Sequence, residues 1–232
     1  MKDRFGPGSY SHSFVFRVKI CGITTVEDAL LAAEAGADAV GLNFYQRSPR
    51  YVTTERAKEI CEALPAGITK VGVFVNSVAK GVLATAQRVG LDAIQLHGDE
   101  GPEMLSALGD YPIVRAFRCK EATLDAVEAF LRLCEKGASL PSAVLLDAHA
   151  PGSYGGTGQV LDWGAIHRER PKLADIPLIL AGGLTAENVA DAIRIAQPDA
   201  VDTASGVEFA PGKKDPAKVR AFVAAAKRAQ RE

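Results

Sequence analysis

Eight short runs rich in β-branched and apolar residues alternate with helix-period segments from one end of the chain to the other. The strand candidates fall at 15–21, 37–43, 69–76, 93–97, 112–117, 143–147, 176–181 and 200–203. Between them, Val26, Ala29, Leu30 and Ala33 recur at the i, i+3, i+4, i+7 spacing of a helix face, as do Val189, Ala192, Ile193 and Ala196. Val219, Phe222, Val223 and Ala226 repeat the spacing in the last segment. Strands that alternate with helices imply a parallel sheet with right-handed crossovers. An open doubly wound sheet is the rival arrangement. Eight units in 232 residues, close to the roughly 250 of a closed barrel, favour closure. The expected fold is therefore α/β, a single (β/α)8 TIM barrel spanning 14–232.

Local punctuation agrees with this division. Thr24-x-x-Glu27 has the form of a capping box, and Asn76-Ser77 and Thr185 are candidate helix caps. Gly36 and Gly90 stand where C-terminal caps belong, just before the next strand. Residues 1–13 lack the apolar stretch of a signal peptide and read as a flexible N-terminal extension.

Charge and composition remove several classes of partner. A formal net charge of −1 with mixed signs gives no electrostatic reason to expect nucleic acid or an anionic membrane. The longest apolar runs are strand-sized, too short to span a bilayer. The cysteines, Cys21, Cys61, Cys119 and Cys134, form no CxxC pair and no metal-ligand spacing with the histidines. Cys61 continues the apolar stripe Ala57, Ile60, Leu64, and Cys134 continues Leu124, Val127, Leu131. Both read as core thiols acting as small hydrophobes. A reducing cytoplasm suits such a chain better than a disulfide framework.

Barrel chemistry sits at the C-terminal ends of the strands, and alternation along each strand sorts inward from outward side chains. In the first strand Val18 and Ile20 face the helices, so Lys19 and Cys21 point into the barrel. In the sixth, Val144 and Leu146 face out while Leu145 and Asp147 face in. A thiol and a carboxylate at one mouth suit proton transfer, the thiolate as base and the carboxylic acid as donor. Lys19, one pleat below Cys21, is a source of thiolate support. The plainer alternative makes Cys21 a buried hydrophobe and Asp147 a cap for the sixth helix.

Glycine-rich turns follow the last three strands: Gly155-Gly156-Thr157-Gly158, Gly182-Gly183 and Ser205-Gly206. Taken singly, each is a tight turn. Together at one end of a barrel they point to backbone N–H groups cradling a phosphate, with Gly156, Gly158, Gly182, Gly183, Ser205 and Gly206 as its candidate ligands. Arg50, after the second strand, offers a guanidinium to a second anionic group, whereas Arg47 reads as a solvated loop residue. His97 closes the fourth strand and either lines the pocket or holds loops together. Asp202, inward on the eighth strand, is placed to accept sugar hydroxyls. Trp163 reads as a core anchor for the sixth helix.

At these residues the chain resembles the phosphoribosylanthranilate isomerases. The resemblance is carried by Val18-Lys19-Ile20-Cys21-Gly22-Ile23-Thr24, Ser48-Pro49-Arg50-Tyr51, Val71-Gly72-Val73-Phe74-Val75-Asn76 and Gln95-Leu96-His97-Gly98. It continues through Leu145-Leu146-Asp147, Gly182-Gly183-Leu184, Ser205-Gly206-Val207-Glu208 and Pro211-Gly212-Lys213-Lys214-Asp215. It implies an Amadori rearrangement in tryptophan biosynthesis, N-(5-phosphoribosyl)anthranilate to 1-(2-carboxyphenylamino)-1-deoxyribulose 5-phosphate, with no cofactor and no metal. By the same resemblance Asp147 is the general acid, Cys21 the general base, Arg50 the carboxylate ligand and the glycine turns the phosphate site. Ala204 departs from the family, which often carries serine there.

A histidine-pathway or bifunctional phosphoribosyl isomerase is the nearest alternative enzyme, although that chemistry uses Asp where Cys21 stands. A non-catalytic phosphosugar-binding barrel is the alternative from another class, and such a binder needs neither Cys21 nor Asp147. Either a monomer or a homodimer is compatible with the sequence.

Overall fold

The computed structural model describes residues 16–119, 123–137, 139–148 and 161–231. The expected N-terminal extension and the glycine turn at 155–158, with Gly156 and Gly158, lie outside the described residues. The first half of the chain runs β1 (Val18–Cys21), α1 (Val26–Glu34), β2 (Ala39–Asn43), α2 (Thr54–Ala63), β3 (Thr69–Phe74), α3 (Ala79–Val89), β4 (Ala93–Leu96) and α4 (Pro102–Ala107). The second half runs β5 (Ile113–Cys119), α5 (Asp125–Lys136), β6 (Ala143–Ala148), α6 (Trp163–Glu169), β7 (Leu178–Leu180), α7 (Val189–Ala196), β8 (Ala200–Thr203), β9 (Glu208–Ala210), β10 (Lys213–Lys214) and α8 (Pro216–Ala229). Strands β1 to β8 pair in sequence order, all parallel, and β8 pairs back to β1, which closes the barrel. Closure leaves no sheet edge open.

Alternation along the strands splits the apolar residues into two layers. Val18, Ile20, Val144, Leu146, Leu178 and Leu180 pack outward against the helices. Ala39, Val71, Ala93, Val114, Ala116, Leu145 and Ile179 fill the barrel interior. Cys61 and Cys134 are buried in the outer layer, on the helix faces expected of them. Trp163 packs against that layer at the first turn of α6.

The helix ends correct the sequence reading in three places. The cap of α1 is Thr25, whose side chain accepts from Asp28 N, and Thr24 instead donates its hydroxyl to Gly212 O at 2.6 Å. Val78, not Asn76 or Ser77, precedes α3 and provides no side-chain cap, because Asn76 adopts a left-handed φ of 51° and bonds the loop after β4. Thr185 lies in a turn before α7, and the cap position itself belongs to Asn188. Gly90 closes α3 in the left-handed conformation that only glycine takes without cost, and Gly36 follows the last residue of the α1 cap at φ 93°.

A two-stranded hairpin, β9 with β10, has no counterpart in the sequence expectation. It follows β8 and is fastened to the start of α1 by Thr24 and by Lys214 N, which donates to Asp28 Oδ2 at 3.4 Å.

Candidate active site

A cavity at the C-terminal end of the barrel is lined by Cys21, Arg50, His97, Asp147, Gly182, Gly183, Asp202 and Ser205. Eight of the sequence candidates thus meet in one place. Gly206 is not among the lining residues. A Cβ there would lie 1.9 Å from Leu184 O, so its glycine is explained by the close approach of the β8 and β7 loops.

Parallel register puts the first ion pair in place. Lys19 on β1 lies beside Asp202 on β8, and its Nζ is 2.9 Å from Asp202 Oδ2 with no exposure of the lysine side chain. Asp202 Oδ1 is buried and has no hydrogen-bond partner among the described residues. On the other side of β1, Cys21 lies beside Gly41, where a Cβ would stand 2.6 Å from Cys21 Sγ and 3.1 Å from Lys19 Cε. The missing side chain at Gly41 is what lets thiol and lysine share the space.

Cys21 differs from the other three cysteines, which are buried; it is partly exposed on the cavity wall. Burial raises its pKa above the ordinary 9.0; Lys19 opposes this, Asp202 adds to it, and Lys214 opposes it. Lys19 therefore supports the thiolate as the sequence suggests, but burial outweighs it. Lys19 is itself held protonated, since the attraction of Asp202 and Cys21 overcomes its desolvation.

Asp147 is buried and is not a helix cap, because Asp162 fills that position on α6 by accepting from Ala165 N at 2.9 Å. His97 Nε2 lies 3.3 Å from Asp147 Oδ2, while its Nδ1 is 2.9 Å from Gln95 Nε2. With Gln95 donating to Nδ1, the ring proton of neutral His97 sits on Nε2, which lies near the carboxylate but makes no hydrogen bond among the described residues. His97 thus touches the candidate acid directly, a contact the sequence left open.

Gly182 and Gly183, just beyond β7, have φ of 83° and 66°. Two successive left-handed residues require glycine. Asn188 fixes the turn: its Nδ2 donates to Gly183 O at 2.9 Å and its Oδ1 accepts from Thr185 N at 2.8 Å. The Thr203 hydroxyl donates to Leu184 O at 2.7 Å, which joins the β7 and β8 ends.

Arg50 lines the cavity but is not free. Its Nε and Nη2 donate to the two oxygens of Glu208 at 2.9 and 2.7 Å. Glu208 and Lys214, both buried, belong to this site although sequence reasoning gave them no role. Two charged residues on strands of two or three residues carry no burial signal in the sequence. Their only mark was their place within the motifs that follow β8.

A family model described as N-(5'phosphoribosyl)anthranilate (PRA) isomerase matches residues 18–225. The chain belongs to that family. Within it, the chain is 48% identical over 212 residues to the N-(5'-phosphoribosyl)anthranilate isomerase of Geobacter sulfurreducens, covering 91% of this chain and 98% of that protein. Among solved family structures, it resembles phosphoribosyl anthranilate isomerase from Thermotoga maritima with a TM-score of 0.81 at 40% identity, over 91% of this chain and 98% of the other. A further family structure, in complex with reduced 1-(o-carboxyphenylamino)-1-deoxyribulose 5-phosphate, aligns at 39% identity with a TM-score of 0.78, again over 91% and 98% of the two chains.

Proposed function

We propose that the cavity isomerises N-(5'-phosphoribosyl)anthranilate to 1-(2-carboxyphenylamino)-1-deoxyribulose 5-phosphate, the reaction of the family, with Asp147 giving a proton to the substrate and Cys21 taking one from it. One observation carries the assignment: in a chain of this family, a thiol and a carboxylate line the same cavity beside glycine turns and an arginine.

The protonated Asp147 gives its proton to the ribose ring oxygen. The bond from that oxygen to C1 breaks, its electron pair stays on oxygen, and the amine lone pair forms a C1–N iminium. The iminium makes the C2 proton acidic, and the Cys21 thiolate removes it; the released pair forms the enolamine. The enolamine tautomerises to the ketone as C1 gains a proton from water and the C2 hydroxyl gives one up to water, and a proton passed through solvent from the Cys21 thiol to the Asp147 carboxylate restores both groups. The raised pKa of Cys21 keeps the thiolate a minority form at neutral pH and makes it a stronger base when formed. His97 orients Asp147, supported by the 3.3 Å approach of its Nε2.

Clamping the two anionic ends holds the ribose between acid and base, which is where most of the acceleration arises. Arg50 takes the anthranilate carboxylate. The N–H groups of Gly182, Gly183 and Ser205 take the phosphate, with Gly156 and Gly158, outside the described residues, as the further ligands the sequence offers. The free Oδ1 of Asp202 accepts from a sugar hydroxyl. Four free thiols support a cytoplasmic location.

Complementation of a tryptophan auxotroph lacking this isomerase is the test. The wild-type chain restores growth, and Cys21→Ser and Asp147→Asn do not; failure of the folded wild-type chain to restore growth refutes the assignment. A histidine auxotroph run in parallel reports any second activity.

A further inference from the structure

Arg50 is seated by more than its own loop. Its aliphatic stem lies over Gly22, where a Cβ would be 2.4 Å from Arg50 Cδ. Its Nε–Nη2 edge is occupied by Glu208, while Nη1 has no hydrogen-bond partner among the described residues. A guanidinium has a side edge, Nε with Nη2, and an end edge, Nη1 with Nη2, and either can hold a carboxylate with two bonds. Glu208 takes the side edge and leaves the end edge available.

Glu208 is itself fixed. Lys214 Nζ, with no side-chain exposure, donates to Glu208 Oε1 at 2.9 Å, to Cys21 O at 2.6 Å and to Ala204 O at 3.1 Å. Lys218 Nζ donates to Glu208 O at 2.8 Å, and Gly212 N donates to Glu208 Oε1 at 3.3 Å. One lysine thus ties the carboxylate that holds Arg50 to the backbone of the candidate base.

We infer that Glu208 is a positioning residue, braced by Lys214, that sets the orientation of Arg50 so its end edge meets the substrate carboxylate in register with Cys21. The inference rests on the reading of Arg50 as the carboxylate ligand. Glu208 makes no substrate contact and acts only through the guanidinium. Freed from it, Arg50 retains its charge but loses its fixed fork, so ground-state binding suffers more than the proton transfers.

Steady-state kinetics on full-length variants test this. Glu208→Gln keeps the shape but loses the charge; Glu208→Asp keeps the charge but pulls it back by one methylene. Each is expected to raise KM about tenfold, the equivalent of one lost charged contact, with kcat within about twofold. The deciding measurement is the pair Arg50→Ala and Arg50→Ala/Glu208→Gln. If Glu208 acts through Arg50, adding the second substitution changes KM by less than about twofold. A general structural role would instead produce the same rise with or without Arg50, and that result overturns the inference. Unchanged KM in the folded Glu208 variants overturns it too, while a raised KM in Arg50→Ala leaves the carboxylate reading standing. Unchanged KM in Arg50→Ala removes that reading and the brace together. If Glu208→Gln does not fold with two buried cations unpaired, Glu208→Asp decides.

Discussion

Cys21, the proposed base, sits in surroundings that oppose its charge. The barrel wall strips water from the thiol and raises its pKa, and the ammonium of Lys19 supplies the largest counterweight. Replacing Lys19 with Met keeps the bulk and deletes that charge, so the pH midpoint for alkylation of Cys21 is expected to move further above 9.0. A midpoint that stays put would leave Lys19 with only its ion pair to Asp202. The proton-transfer roles give a second expectation. Cys21→Ser and Asp147→Asn each lower kcat by about 100-fold or more, the usual contribution of a general acid or base, without altering the thermal transition appreciably. A folded variant with near-wild-type turnover removes that residue from the chemistry. At this scale strand parity made the inward placement of Lys19, Cys21 and Asp147 legible in the sequence, and with it the groups proposed to react. It did not reveal Glu208 behind Arg50, because a partner 158 residues away leaves no local trace.

Strands β1 and β2 show how an element serves the site by what it omits. Gly41 has no unusual backbone angle, yet a methyl there would press on Cys21 Sγ at 2.6 Å and on Cys21 Cα at 3.1 Å. Gly41→Ala is therefore expected to displace the thiol and lower kcat at least tenfold, with an overpacking cost of about 1–3 kcal/mol in denaturant unfolding. Unaltered kcat would mean the thiol relocates freely. The same strands explain what could be read beforehand. The eighth strand was legible at its full length, Ala200–Thr203, and the others within a few residues, because two-layer burial imposes β-branched and apolar residues on short segments. The β9–β10 hairpin was not legible: strands of three and two residues are too short for a period of two, and docking onto α1 through Thr24 and Asp28 holds them in place. The cap positions slipped for a related reason. Thr24 and Asn76 have the chemistry of caps but are claimed by distant partners, Gly212 and Asp99.

The closed sheet and its helical sleeve share one outer core, and three thiols placed in it give the whole fold a pH dependence. Cys61 on α2, Cys119 at the end of β5 and Cys134 on α5 are buried, and burial pushes each pKa from 9.0 up to about 11. In the unfolded chain these thiols ionise near 9.0; in the barrel they keep their protons to about 11. Between those values the unfolded state binds fewer protons, so stability falls as pH rises. Below pH 9 the contribution is fully present, and above about 11 it is lost. The stability of wild type relative to the triple variant Cys61→Ala/Cys119→Ala/Cys134→Ala should therefore decline across that window. Lysines and tyrosines that titrate there are common to both proteins and cancel in the difference. The variant starts lower, since it leaves small cavities in the core, but its Tm should fall less steeply from pH 9 to 11. Parallel curves would show that the barrel opens around these thiols well before it unfolds, giving them water in the native state.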